Sequence, residues 1–241
     1  MAADGSTIPL ASTTDFPMRF LPEDHVADRP LWAWLTVAFA GCVAPAGALV
    51  MTHDPRAAGT IIAIGMMGAG MIAAASAGRF AVGVIVALLA GAGLMLLARA
   101  LGLPALHAPA GAALAAVVAS VSFAARGSLF ARSAAARGWW IAVAVVAGEA
   151  AVLLTAAVMP GAWPGWVLAL LPAQWATLAL QAALTGTGAQ VASIAMLALG
   201  GTAAATLLVA HLWPRRWPYL IMFTTWLALS ALVWERWSAA L

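Results

Sequence analysis

The stretch from Gly138 to Pro160, GWWIAVAVVAGEAAVLLTAAVMP, opens on two tryptophans, stays apolar for most of its 23 residues and stops at a proline. A helix of ~20 apolar residues crosses the hydrocarbon core of a bilayer. Runs of this kind recur from Leu31 to Trp234, separated by short breaks rich in Gly, Pro and Arg. In lipid, a backbone must satisfy its own N–H and C=O groups, so such runs can only be helices. The fold class expected is all-α, a polytopic transmembrane helical bundle.

Composition closes off the soluble classes. Of 241 residues, 65% are hydrophobic and 8% charged, whereas a soluble domain carries about 25% charged residues. All 11 basic residues are Arg. Without a lysine there is no retinal Schiff base. A pI near 10.4 suits anionic lipid headgroups. The arginines are scattered and form no dense tract, so no nucleic-acid partner is expected. Cys42 is the single cysteine and forms no internal disulfide.

Residues 1–30 are polar and hold five of the eight acids. They lack the basic and apolar regions of a signal peptide and are read as a cytoplasmic tail. Residues 31–241 are read as one transmembrane helical domain.

Eight spans fit the apolar runs: 31–51, 58–78, 80–101, 108–125, 139–160, 163–184, 188–212 and 217–234. On this count one side holds Arg19, Arg29, Arg79, Arg126, Arg132, Arg137 and Arg236, and the other Arg56, Arg99, Arg215 and Arg216. Basic residues favour the cytoplasm, which places both termini inside. Of the 12 tryptophans, ten lie near an expected span end, and only Trp175 and Trp226 fall in mid-span. Indole rings seek the headgroup layer. Trp213, Arg215, Arg216 and Trp217 concentrate that chemistry, and with Arg126, Arg132 and Arg137 they are the expected headgroup or lipid contacts. The partners expected are anionic membrane lipids and a membrane protein or a second copy of the chain. Gly65, Gly68 and Gly70, then Gly83, Ala87, Gly91 and Gly93, then Gly200 and Gly201, mark faces for close helix packing.

The one acid deep in an apolar run is Glu149. A lone carboxyl in hydrocarbon is costly and marks a site by default. Gln174, Thr177 and Gln181 lie at i, i+3 and i+7, on one helix face. These four residues form the expected intramembrane polar site, with Glu149 able to take up or release a proton. The turn Pro160-Gly161-Ala162 makes the flanking helices antiparallel neighbours and puts Glu149 and Gln174 at one depth, so a contact between them is expected. A structural reading, in which Glu149 only locks helices together, fits the same residues.

Little else carries chemistry. His53, Asp54, His107 and His211 lie near span ends but show no HxxxH or HExxH spacing, so no metal site is expected. There is no GxSxG, CxxC or phosphate loop. No catalytic residue is assigned and no cofactor is implied. The function expected is that of a non-catalytic multi-pass protein, a subunit or assembly factor of a larger membrane complex. The alternative is a small-molecule or ion transporter, proton-coupled through Glu149. The location expected is the plasma membrane, or the inner membrane of a bacterium.

Overall fold

The computed structural model describes residues 31–52, 54–103 and 106–239. The expected tail, residues 1–30, and His53 lie outside the described residues. Helix dominates, and there is no strand among the described residues. The first helix has two parts, α1 (Leu31–Ala38) and α2 (Ala44–Thr52), joined by a π-helical turn at Phe39–Val43. Pro45 accounts for the turn. It has no N–H to offer the Gly41 carbonyl four residues back, and the N–H of Ala44 reaches five back, to the Phe39 oxygen. Then follow α3 (Pro55–Ala77), α4 (Phe80–Ala100), α5 (Pro109–Ala134), α6 (Gly138–Val158), α7 (Gly165–Ala169), α8 (Pro172–Thr185), α9 (Ala189–His211) and α10 (Trp217–Ser238).

Among the described residues, six runs are long and apolar enough to cross a membrane: Leu31–Thr52, Ala57–Ala77, Phe80–Ala100, Pro109–Val158, Ala189–His211 and Trp217–Ser238. The fourth, of 50 residues, contains both α5 and α6. They are hinged at a 3-10 turn, Ala135–Arg137, where Ala135 takes φ 47°. The chain doubles back so tightly that a Cβ on Gly138 would lie 2.4 Å from the Phe130 carbonyl oxygen.

The expected span 163–184 is not one helix. It is α7 and α8, broken at Leu170 and Leu171. Pro172 causes the break. Its ring pushes the preceding residue out of helical conformation, and Leu171 sits extended at φ −92°, ψ 118°. The 14 residues of α8 reach about 21 Å at 1.5 Å per residue, well short of a ~30 Å core.

Helix α3 is the centre. It touches α1, α2, α4, α5, α6 and α8, and nearly all of it is buried. Its run of Ala, Gly and Met leaves backbones free to approach from every side, which in lipid replaces the hydrophobic drive. Across α1 and α3, a Cβ on Gly41 would lie 2.7 Å from the Ala69 Cβ, and one on Gly68 would lie 2.8 Å from the Ala40 oxygen. Gly65, Gly70, Gly83 and Gly91 are crowded in the same way, and Ala87 packs on Gly70. Gly93 and Gly200, expected to share this role, have no atom within 4 Å of an added Cβ, whereas Gly201 meets Leu229.

The contacts also fix which end of each helix lies where. The upper end can be defined by the start of α5, where the Ala108 N–H bonds to the Ala183 carbonyl near the end of α8 at 3.0 Å. The start of α3 (Ala58) and the end of α4 (Arg99) share a cavity with Thr185 at that end. The lower end holds the turn between α5 and α6. There Leu129 packs with Val209, Ala210, Tyr219 and Met222, so α9 ends and α10 begins below. The first helix, α1 and α2 together, runs antiparallel to α3, since Gly41 meets Ala69 while Pro45 meets Gly65. Leu31 therefore lies at the lower end and Ser238 at the upper.

The two halves of the broken segment both belong to the upper half of the bundle. Gly165 packs on the Trp234 ring, near the upper end of α10. Leu170 accepts a bond from Trp226, two turns further down the same helix. Helix α8 then climbs back, passing Gly59 of α3 at Gln181 and ending beside His107 at Gly186. The segment enters and returns at the same end, as a hairpin with its tip in mid-bundle.

Candidate functional site: an acid at the tip of a broken helix

The tip can be accounted for group by group. In the first turn of α8, Pro172 has no N–H. The N–H groups of Gln174 and Trp175 bond to the Leu171 carbonyl at 3.0 and 3.3 Å. That leaves the N–H of Ala173, which bonds to Oε2 of Glu149 at 3.1 Å. An orphan donor at a helix start welcomes an anion, because the N–H dipoles converge there. On the α7 side the two exposed carbonyls are also met. The indole of Trp175, fully buried, donates to the Ala169 oxygen at 2.8 Å. The indole of Trp226 donates to the Leu170 oxygen at 3.1 Å. Non-helical backbone at membrane depth persists only where protein groups satisfy it. The two mid-span tryptophans of the sequence are those groups.

Glu149 thus reaches the depth expected from turn arithmetic, but its partner differs. It is the backbone of Ala173, one residue before Gln174, and no hydrogen bond joins the Glu149 carboxylate to the Gln174 carboxamide. The physical reason is the break. A continuous helix would have no free N–H at this depth, and a side-chain amide would be the natural partner. The break supplies a better donor.

The second charged group is Arg126. By sequence it is an expected headgroup contact, but it lies eight residues before the end of α5, inside the bundle. Its Nη2 lies 3.4 Å from Thr202 Oγ1 on α9. Its Nη1 is buried with no hydrogen-bond partner. No hydrogen bond joins it to Glu149, whose carboxylate is taken by Ala173. Ser122, one turn earlier on the same face, also has a buried hydroxyl without a partner. Buried polar atoms are nearly always bonded, so these open valences are unusual. The assembly is an acid, a helix N-terminus and a guanidinium with unused donor capacity, all in mid-bundle.

The remaining expected site residues lie on α8. Gln174 and Thr177 are buried, and the Thr177 hydroxyl bonds to the Ala173 carbonyl at 2.9 Å. Gln181 packs its stem on Gly59, where an added Cβ would lie 2.5 Å from its Cγ. This polar face turns toward α3 and runs from the tip to the upper end.

The expected lipid contacts, Arg126 apart, sit at the lower end. Arg132 donates to the Ala210 carbonyl in the last turn of α9, a stabilising place for a cation. Arg137, Arg215 and Arg216 are exposed, as are Trp213 and Trp217. Trp213 packs edge-on to Tyr219 at 6.2 Å. His107 and His211 lie at opposite ends of the bundle, and no group of three metal-ligating side chains occurs among the described residues.

Sequence reasoning finds Glu149, places Arg126 at a headgroup, and gives neither the meeting of Arg126 with Thr202 nor the break. Leu171-Pro172 and two tryptophans in mid-span were the available signals. Comparison with protein-family models, with curated proteins and with solved structures finds no match to this chain.

Proposed function

We propose that this protein is a secondary transporter that moves a small solute with an acidic group, coupled to a proton carried by Glu149. The observation that carries this reading is the Glu149 carboxylate seated on the N-terminus of a half-helix in mid-bundle. Transporters place solute sites at such discontinuous helices, with the positive helix end facing an anionic group. Here the protein's own acid holds that place. When Glu149 takes up a proton, its bond to Ala173 weakens and Arg126 loses its counter-charge. A solute carboxylate or phosphate then has the α8 N-terminus and Arg126 Nη1 as donors. Release of the proton to the other side returns Glu149 to α8 and expels the solute. The faces of α1, α4, α6 and α10 that look outward suit lipid and protein partners alike, so the subunit reading gains nothing from them.

In this reading the chain crosses the membrane seven times and the α7–α8 hairpin is re-entrant. The lower end carries Arg79, Arg132, Arg137, Arg215 and Arg216, and the upper end Arg56, Arg99 and Arg236. That asymmetry makes the lower end cytoplasmic. Eight spans would put both termini inside. The re-entrant hairpin puts them on opposite sides, and reporter fusions at residues 1 and 241 are expected to report opposite compartments. Reporters on the same side would sink the hairpin topology.

Function is tested in proteoliposomes containing a pH-sensitive dye. Succinate, aspartate and inorganic phosphate are offered in turn under an inward proton gradient. At least one is expected to drive protein-dependent proton movement. Stoichiometric co-purification of a second membrane protein, with no proton movement for any solute, would overturn the transporter in favour of the subunit.

A further inference from the structure

Helices α3, α4 and α8 enclose a cavity of about 320 Å³ at the upper end of the bundle. Its depth is apolar, formed by Ile62, Met95, Leu103, Leu106 and Leu184. Below, a narrow crevice continues between Ile62, Met95, Ala112 and Leu180. The rim is polar: Arg99, His107 and Thr185. Two contacts fix this rim. Ala108 is tied to the Ala183 carbonyl at 3.0 Å. His107 lies on Gly186, which has φ +76° and where any side chain would meet the ring at 2.5 Å. Arg99 leans toward the loop, its Nη1 3.4 Å from the Leu103 carbonyl. Its remaining donors stay exposed at the mouth.

We propose that this cavity binds an amphiphile with one anionic head, the head on Arg99 and an apolar chain along Ile62, Met95 and Leu106. A pocket that is apolar inside with a few polar groups at its opening selects such molecules. The charge at the mouth selects the sign, because Arg99 is the only charged residue among the described residues of the lining. The guanidinium fork matches a carboxylate or a phosphate equally well, so the head is defined as an oxyanion. A free fatty acid and an anionic phospholipid both present it.

The purified full chain is tested by native mass spectrometry with dodecanoate and, separately, with phosphatidylglycerol. The parent protein is expected to bind one equivalent of at least one of them. Binding of dodecanoate alone identifies a free acid as the source, and binding of phosphatidylglycerol alone a lipid. Arg99→Gln is expected to lower occupancy about tenfold, a loss of the order of one charged hydrogen bond. Met95→Trp, which fills the depth, is expected to abolish it. Arg236→Gln, a change to an exposed arginine at the same end, is expected to leave occupancy unchanged. The proposal is overturned if neither amphiphile binds in one-to-one ratio. It is also overturned if Arg99→Gln binds as the parent does, or if Arg236→Gln loses as much, because the lipid is then held by general surface charge. Arg99 is exposed, so its variant folds and decides the matter alone if Met95→Trp does not fold.

Discussion

Glu149→Gln is expected to lower proton-linked flux by about a hundredfold or more while leaving the fold intact, since a positioned proton-transfer group contributes roughly 10²–10⁴-fold. The glutamine oxygen still accepts from Ala173, so the loss of stability should stay within about 1 kcal/mol. Glu149→Leu differs. It removes the acceptor from Ala173, and a buried donor left unsatisfied costs about 1–3 kcal/mol, read as a lower unfolding temperature in detergent. Removing both charges, Glu149→Leu with Arg126→Leu, should recover part of that loss, because no buried guanidinium is then left in a bundle without an acid. A double-mutant cycle over these positions measures the coupling. A carboxyl–carboxamide contact would have made Gln174→Leu the rescuing partner. With Glu149 bonded to the Ala173 backbone, Gln174→Leu is expected to rescue nothing. Equal flux in the parent and Glu149→Gln would reduce Glu149 to a structural lock.

Gly127→Leu is expected to yield no folded protein. A Cβ at residue 127 would lie 2.2 Å from the Met71 carbonyl oxygen and 2.9 Å from the Ala74 Cβ. The first obstacle is backbone of the central helix α3 and cannot swing aside as a side chain would. Either α5 moves out, losing its contact with α3, or the helices do not pair. Even Gly127→Ala should cost about 1–3 kcal/mol, the usual penalty of overpacking. The control is Gly200→Ala on α9, where no atom lies within 4 Å of the new Cβ. There the helix gains up to ~1 kcal/mol of propensity. Detergent size-exclusion profiles and unfolding temperatures of the two variants read the contrast directly. A well-behaved Gly127→Leu protein would mean that α3 and α5 are not in the contact described.

Much of the architecture is written in runs of apolar residues, because length and apolarity alone decide that a segment forms a membrane-length helix. The position of Glu149 is legible for the same reason: an acid in such a run has no solvent to turn to. Its depth relative to the start of α8 also followed from counting residues around a short turn, at a fixed rise per residue. What counting could not supply was direction. Two short helices joined at Leu170-Leu171-Pro172 can continue across the bundle or fold back. The choice depends on backbone angles at two residues and on what satisfies the freed carbonyls. Trp175 and Trp226 provide those donors, one of them from a helix more than fifty residues away in sequence.

Apolarity also fails to separate lipid from protein as a neighbour. The most hydropathic of the six runs, Phe80–Ala100, is largely exposed, while the less hydropathic Ala57–Ala77 is almost wholly buried. Lipid tails and packed side chains offer nearly the same solvation, so size and not hydropathy sends the Ala- and Gly-rich helix to the centre. Arg126 shows the limit from the polar side. By sequence it joins Arg132 and Arg137 as a loop cation. In the fold, α5 runs on for eight residues past it and carries it inward to Thr202. Sequence alone determined that this chain is a membrane helical bundle with one acid in its depth. Tertiary structure alone decided that the acid meets a helix end there and that the arginine meets Thr202, because both partners exist only once distant segments have packed.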